Sequence, residues 1–134
     1  MGAVFRRFDE VGWIEPPGHP GALSKLLVHP ENTATSQFDF RVSLYAPKGM
    51  VEDHVHERSE HVYHILSGRG LMTLDGETRV VEARDTIFIP PGVRHGLVNN
   101  GLEDLVFVVA TSPPGELPAT DVRKTIPPTQ GGGR

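Results

Sequence analysis

No cysteine occurs among the 134 residues. That excludes a disulfide framework, thiolate metal ligands and a cysteine nucleophile, and it leaves the redox compartment open. Basic runs are missing too: 13 Lys and Arg stand against 17 Asp and Glu, for a net charge of −4. The electrostatic footprint of a nucleic-acid binder is therefore absent. No window approaches the roughly 18 uninterrupted apolar residues of a membrane span. The stretch from Met1 to Arg7 lacks the apolar segment of a signal peptide, and Arg6 stands where a myristoylated chain wants Ser or Thr. These absences lead us to expect a cytoplasmic protein with neither a nucleic acid nor a membrane as partner. Helices are scarce as well, since no segment of about ten residues carries a convincing amphipathic helical pattern.

What the chain does have is 15 Gly and 12 Pro punctuating short runs of alternating polarity, the pattern of many strands joined by tight turns. Phe38, Phe40, Val42 and Leu44 alternate with Asp39, Arg41, Ser43 and Tyr45, a half-buried strand ended by Pro47-Lys48-Gly49. Further strands are expected at His61 to Leu66, Leu71 to Leu74, Thr78 to Val81, Asp85 to Ile89 and Leu102 to Thr111. Asp75-Gly76 is a strong hairpin signal. Residues 1–24 and 112–134 read as an irregular N-terminal arm and a flexible C-terminal tail flanking a core of about 38–111. The whole chain, 1–134, is expected to form one all-β domain, an antiparallel sandwich or barrel.

Within this frame His54 and His56 alternate, so that on an extended strand both project from one side. Alone, such a pair is more often a surface or half-buried feature than a ligand set. His61 follows, and His95 comes much later. Neutral imidazole is the commonest metal ligand among side chains, so these four are candidate metal ligands. His64 is offset from His61 by an odd number and should face outward. His19 and His29 lie in irregular segments and read as solvent-exposed.

The motifs around these histidines resemble those of the cupin superfamily. Pro90-Pro91-Gly92, His95 and Asn99 match the second cupin motif at each offset. His54, His56 and Gly68 match the first, whose acidic position is taken here by His61. Glu60 is adjacent, and a shift of one residue would substitute it. Gly49 comes one residue later than the first motif requires, and Arg84 stands where the second has Gly. The resemblance implies a cupin double-stranded β-helix, or jelly-roll barrel, with a four-histidine variant of the metal site. The expected cofactor is one divalent transition metal ion, with Fe, Zn, Mn, Ni and Cu all open.

Four neutral imidazoles leave an ion's charge intact, which favours an anionic or enolisable oxygenated small molecule as substrate or ligand. The resemblance implies, first, a dioxygenase-like metal enzyme. An isomerase or lyase of sugar-like acids, or a non-catalytic binding module, are the alternatives. Tyr63 shares the face of His61 and is the candidate catalytic side chain, and Glu60 is a second candidate base. Arg41 and Arg94 are candidates to meet an anion at the mouth, although each type is more often a solvated charge. Asn99 reads as a backbone-satisfying residue near a turn. Met72, Leu74, Phe88 and Leu97 read as pocket wall or core. Small cupins generally pair, so a homodimer is expected, with the N-terminal arm able to add a strand to a partner's sheet.

Overall fold

The computed structural model describes residues 2–114 and the backbone of residues 125 and 126. Apart from one 3₁₀ turn at Phe8–Glu10, its regular elements are strands. They are β1 (Trp13–Ile14), β2 (Ala22–Val28), β3 (Asp39–Tyr45), β4 (Met50–His54), β5 (Glu60–Ser67), β6 (Arg69–Leu74), β7 (Glu77–Glu82), β8 (Thr86–Ile89), β9 (His95–Val98), β10 (Leu105–Ser112) and β11 (Thr125–Ile126). One sheet runs β11-β1-β2-β3-β10-β5-β8 and the other β4-β9-β6-β7, with every pairing antiparallel. The two face each other as a jelly roll, the double-stranded β-helix expected. No helix among the described residues is long and apolar enough to cross a membrane.

The core lies between the sheets, where Tyr45, Ile65, Met72, Leu97, Leu105 and Phe107 are buried together. Each such side chain contributes roughly 1.5–3 kcal/mol by leaving water. On β5 and β10 the apolar period of two holds, with Tyr63, Ile65, Phe107 and Val109 inside. On β3 it inverts. The polar residues Arg41, Ser43 and Tyr45 face the interior cavity. Val42 and Leu44 face outward and are covered with Trp13 in a second cluster. Cross-strand register stacks the interior of the large sheet into layers: Asp39, Thr111, His61 and Ile89 form one, and Arg41, Val109, Tyr63 and Ile87 the next.

The N-terminal segment differs from the irregular arm expected. Strand β2 begins at Ala22, and β1 pairs with β2 of its own chain. The preceding residues are strapped down: Arg6 donates to the carbonyls of Leu27 and Asn32 at 2.6 and 2.8 Å. Lys25 is wholly buried, donates to the Phe8 carbonyl at 2.8 Å, and lies 3.9 Å from the Phe8 ring centroid. Strand β4 is the extended segment expected to carry His54, although it ends there, and β9 lies outside the expected strands because it contains Gly96. Residues 115–124 and 127–134 of the expected tail lie outside the described residues.

Turn chemistry explains the closures. Asp75 and Gly76 both have positive φ, 52° and 83°, in the two-residue loop between β6 and β7, as a type I′ hairpin needs. Asn99 is wholly buried, donating from Nδ2 to the carbonyls of Tyr45 and Glu103 and accepting from the Gly101 amide. It is the backbone-satisfying residue its sequence position suggested. Lys48 and Arg84 occupy the two motif positions where glycine is usual, and both adopt left-handed φ, 72° and 78°. The turns survive without glycine, at a cost of about 1–2 kcal/mol per left-handed L-residue. Both side chains are exposed, so little packing is lost on removing them. Lys48→Gly and Arg84→Gly should therefore each raise stability by up to about 1 kcal/mol, read from urea midpoints. A loss of stability in both would contradict the backbone assignment.

Candidate metal centre

Strands β4 and β9 bring the two histidine segments together. Their register shifts between Val51 and His54, a bulge, after which His54 pairs directly with His95. Bulges re-aim side chains, and here the two rings lie 4.3 Å apart between centroids. His56 is not on the strand, as the alternating pattern implied, because β4 ends at His54. Its position comes from the loop: the Gly92 amide of the Pro90-Pro91-Gly92 turn donates to the His56 carbonyl at 2.8 Å. Ligand atoms of His54, His56 and His95 all lie within 4.8 Å of one another. His61 stands outside that set but approaches from the large sheet, its ring 4.3 Å from that of His56 and 5.7 Å from that of His95. Glu60 is exposed on the opposite face of β5 and is not among the residues lining the cavity beside His61.

Protonation states suit ligation. The Nδ1–H of His54 donates to the Glu52 carbonyl at 2.7 Å, and that of His95 to the Val93 carbonyl at 2.9 Å. A carbonyl only accepts, so Nδ1 must carry the proton, and in the neutral ring Nε2 keeps its lone pair. Such partners orient histidine ligands in metal sites. His95 Nε2 is buried with no hydrogen-bond partner among the described residues. Burial pushes the His95 pKa down to about 4 and lowers that of His54, outweighing in each case the carbonyl bond that favours the charged form. Both rings are therefore neutral at pH 7. A buried acceptor close to ligand atoms of two further histidines is what a metal ligand set requires, and the residues present fit a divalent transition ion.

Beside the cluster lies a cavity of about 400 Å³ lined by His54, His56 and His61 together with Tyr45, Tyr63 and Arg41. That volume suits a small molecule. Burial raises the pKa of both phenols, most strongly at Tyr45, so each is a proton donor at neutral pH. His19, expected in solvent, is half-buried and lines the same cavity. Its Nδ1–H donates to the Pro17 carbonyl at 2.8 Å, and burial lowers its pKa. The only sequence signal for it was the Pro17-Gly18-His19-Pro20 turn, whose fold-back across the sheet is a tertiary event. His29 is also buried, at 6 % exposure, accepting from the Glu31 amide. His64 faces outward, with Nδ1 2.8 Å from Thr86 Oγ1. Met72 and Leu97 are core and Leu74 packs against it, whereas Phe88 is exposed. Arg94 is exposed, whereas Arg41 is drawn inside.

Two facing antiparallel sheets with inward histidines define a jelly-roll protein with a candidate metal centre. The sequence profile of the cupin domain family matches residues 41–111, from β3 through most of β10. The chain belongs to that family. An uncharacterized protein of Methanocaldococcus jannaschii, MJ1618, is 48% identical over 61 residues, 46% of this chain and 49% of that protein. The polyketide synthase protein CurC of Streptomyces cyaneus is 29% identical over 107 residues, 80% of this chain and 70% of its own. Among solved structures, a predicted oxalate decarboxylase from Thermotoga maritima superposes with a TM-score of 0.72 at 25% identity, covering 81% of this chain and 98% of the other.

The depressed His95 pKa has a stability consequence for metal-free protein. The unfolded chain takes up this proton near pH 6.5 and the folded chain near 4. The native state is therefore fully favoured above 6.5 and loses about 3 kcal/mol as pH falls to 4. In a histidine NMR titration of metal-free protein, the His95 ring should protonate near pH 4. A midpoint at or above 6 would contradict the assigned burial.

Proposed function

We propose that this cupin holds one divalent transition-metal ion on His54, His56, His61 and His95. In this reading it acts on a small anionic or enolisable oxygenated molecule, with dioxygenase-like chemistry first among the reaction classes. The observation that carries the reading is His95 Nε2, buried without a hydrogen-bond partner among the described residues beside two further histidines. When bound, the metal supplies Lewis acidity and a template for substrate oxygens. The chain supplies the rest. Backbone carbonyls of Glu52 and Val93 fix two of the rings, and burial keeps those two neutral. Tyr63 presents a protonated phenol to the cavity. The Thermotoga maritima relative is, by its name, a predicted oxalate decarboxylase, consistent in class with a small oxyanion substrate.

A second reading, non-redox isomerisation or elimination on a sugar-like acid, is favoured by Tyr63 as a proton donor. Glu60 supports neither reading as a base, since it is exposed on the outer face. We further propose that the protein works as a homodimer. Val62, Leu66 and Phe88, exposed by 39%, 50% and 55%, face outward on the adjacent strands β5 and β8. Such a patch is the kind that pairing covers.

Metal analysis by mass spectrometry tests the ligand set. His54→Ala and His61→Ala should each lower metal affinity, by roughly tenfold or more, while Glu60→Ala should leave it unchanged. The opposite pattern at positions 60 and 61 would move the ligand set by one residue. With iron bound, O₂ uptake on β-diketone or catechol-like compounds supports the first reading, while tight zinc without O₂ consumption supports the second or a binding role. In sedimentation velocity, Val62→Glu with Phe88→Glu should convert a dimer to a monomer. A wild-type monomer would contradict the pairing.

A further inference from the structure

We propose that Arg41 is a second recognition group of the cavity, seating the distal carboxylate of a small dicarboxylate or related diacid whose other end lies at the histidine cluster. The inference deepens the proposed function and rests on it only for the proximal end. Arg41 projects from β3 into the cavity, with its side chain only 12% exposed. One strand, β10, separates it from Tyr63, through the pairs Arg41 with Val109 and Val109 with Tyr63. Two strand spacings put those Cα atoms roughly 10 Å apart, and the side chains close much of that gap. His61 lies one layer along the same sheet. A molecule of a few carbons spans the remainder.

The guanidinium is anchored but not saturated. Its Nη2 meets Asp39 Oδ1 at 3.5 Å and donates to Thr111 Oγ1 at 3.3 Å. The Asp39 contact is long and single, far from the paired bonds of an arginine fork. Nε is buried and has no hydrogen-bond partner among the described residues. A buried N–H left unmade is costly, so an incoming carboxylate completes the group rather than competing for it. The two carboxylates on the lining, Glu52 and Asp53, are exposed on β4 at the rim. They oppose an anion there, whereas Arg41 favours one deeper in.

The test is calorimetric titration with succinate, malonate and propionate, on zinc-loaded protein and on protein stripped of metal. Wild type, Arg41→Gln and Arg41→Lys are compared, with zinc content measured for each. Zinc-loaded wild type should prefer the dicarboxylates over propionate by roughly tenfold, and both variants should lose most of that preference at unchanged zinc content. Arg41→Lys keeps a cation beside Asp39, so it serves if Arg41→Gln does not fold. A preference that persists in a folded variant, or that is missing from zinc-loaded wild type, overturns the proposal. If wild type takes up no zinc, the metal reading fails separately. The stripped protein then decides for Arg41: succinate binding lost in the variants supports the role, and absent or unaltered binding overturns it.

Discussion

The antiparallel pairing of β4 with β9 is the constraint on which the candidate metal centre depends. It sets His54 opposite His95, two residues from distant parts of the chain, and the bulge before His54 turns its ring toward the partner. Backbone atoms then hold the rings: the carbonyls of Glu52 and Val93 accept from Nδ1, and the Gly92 amide anchors the backbone of His56. Because these restraints are main-chain, ring orientation is a property of the fold rather than of neighbouring side chains. A preorganised donor set loses little entropy when a ligand arrives.

Much of this was legible in the sequence, and the exceptions have physical reasons. Alternation placed β5, β6, β7 and β10, and Asp75-Gly76 identified the hairpin, because a local steric demand writes itself into local residues. The motif spacing picked out His54, His56 and His95, whose ligand atoms the fold gathers, and His61, whose ring lies beside that of His56. On β3 hydropathy leaves the inward face open: its apolar face is the outer one, covered by Trp13, while its polar face lines the cavity. A period of two shows that a strand has two unlike faces but not which of them looks inward. The spacing predicts a strand through His56 because it cannot see that β4 stops at His54. His19 read as solvent-exposed because its burial depends on the arm folding over the sheet, a contact with no local signature.

Lys48 and Arg84 bear on how motifs should be read. Both positions hold left-handed backbone without glycine, so the conformation is imposed by the surrounding pairing and hydrogen bonds. Lys48 donates its amide to the Asn99 carbonyl, and Arg84 donates to that of Ile65, at 2.8 and 2.9 Å. Departure from the motif's residue is therefore not departure from its geometry. His61 in the acidic position is of another kind, since it alters the chemistry: an imidazole stands where a ligating carboxylate would offset part of an ion's charge. The proposed preference for an anion follows from that substitution and from Arg41 together. The neutral phenols of Tyr45 and Tyr63 add donors of the same sense.

The most direct test of the central claim is a crystal structure of protein grown in metal-supplemented medium, with anomalous data collected at the transition-metal edges. One anomalous peak is expected roughly 2.0–2.1 Å from Nε2 of His54 and of His95, with His56 and His61 completing the ligand set. The peak should border the cavity that Arg41 lines. Strong data with no peak among these histidines, or a peak whose ligands include Glu60 in place of His61, would contradict it.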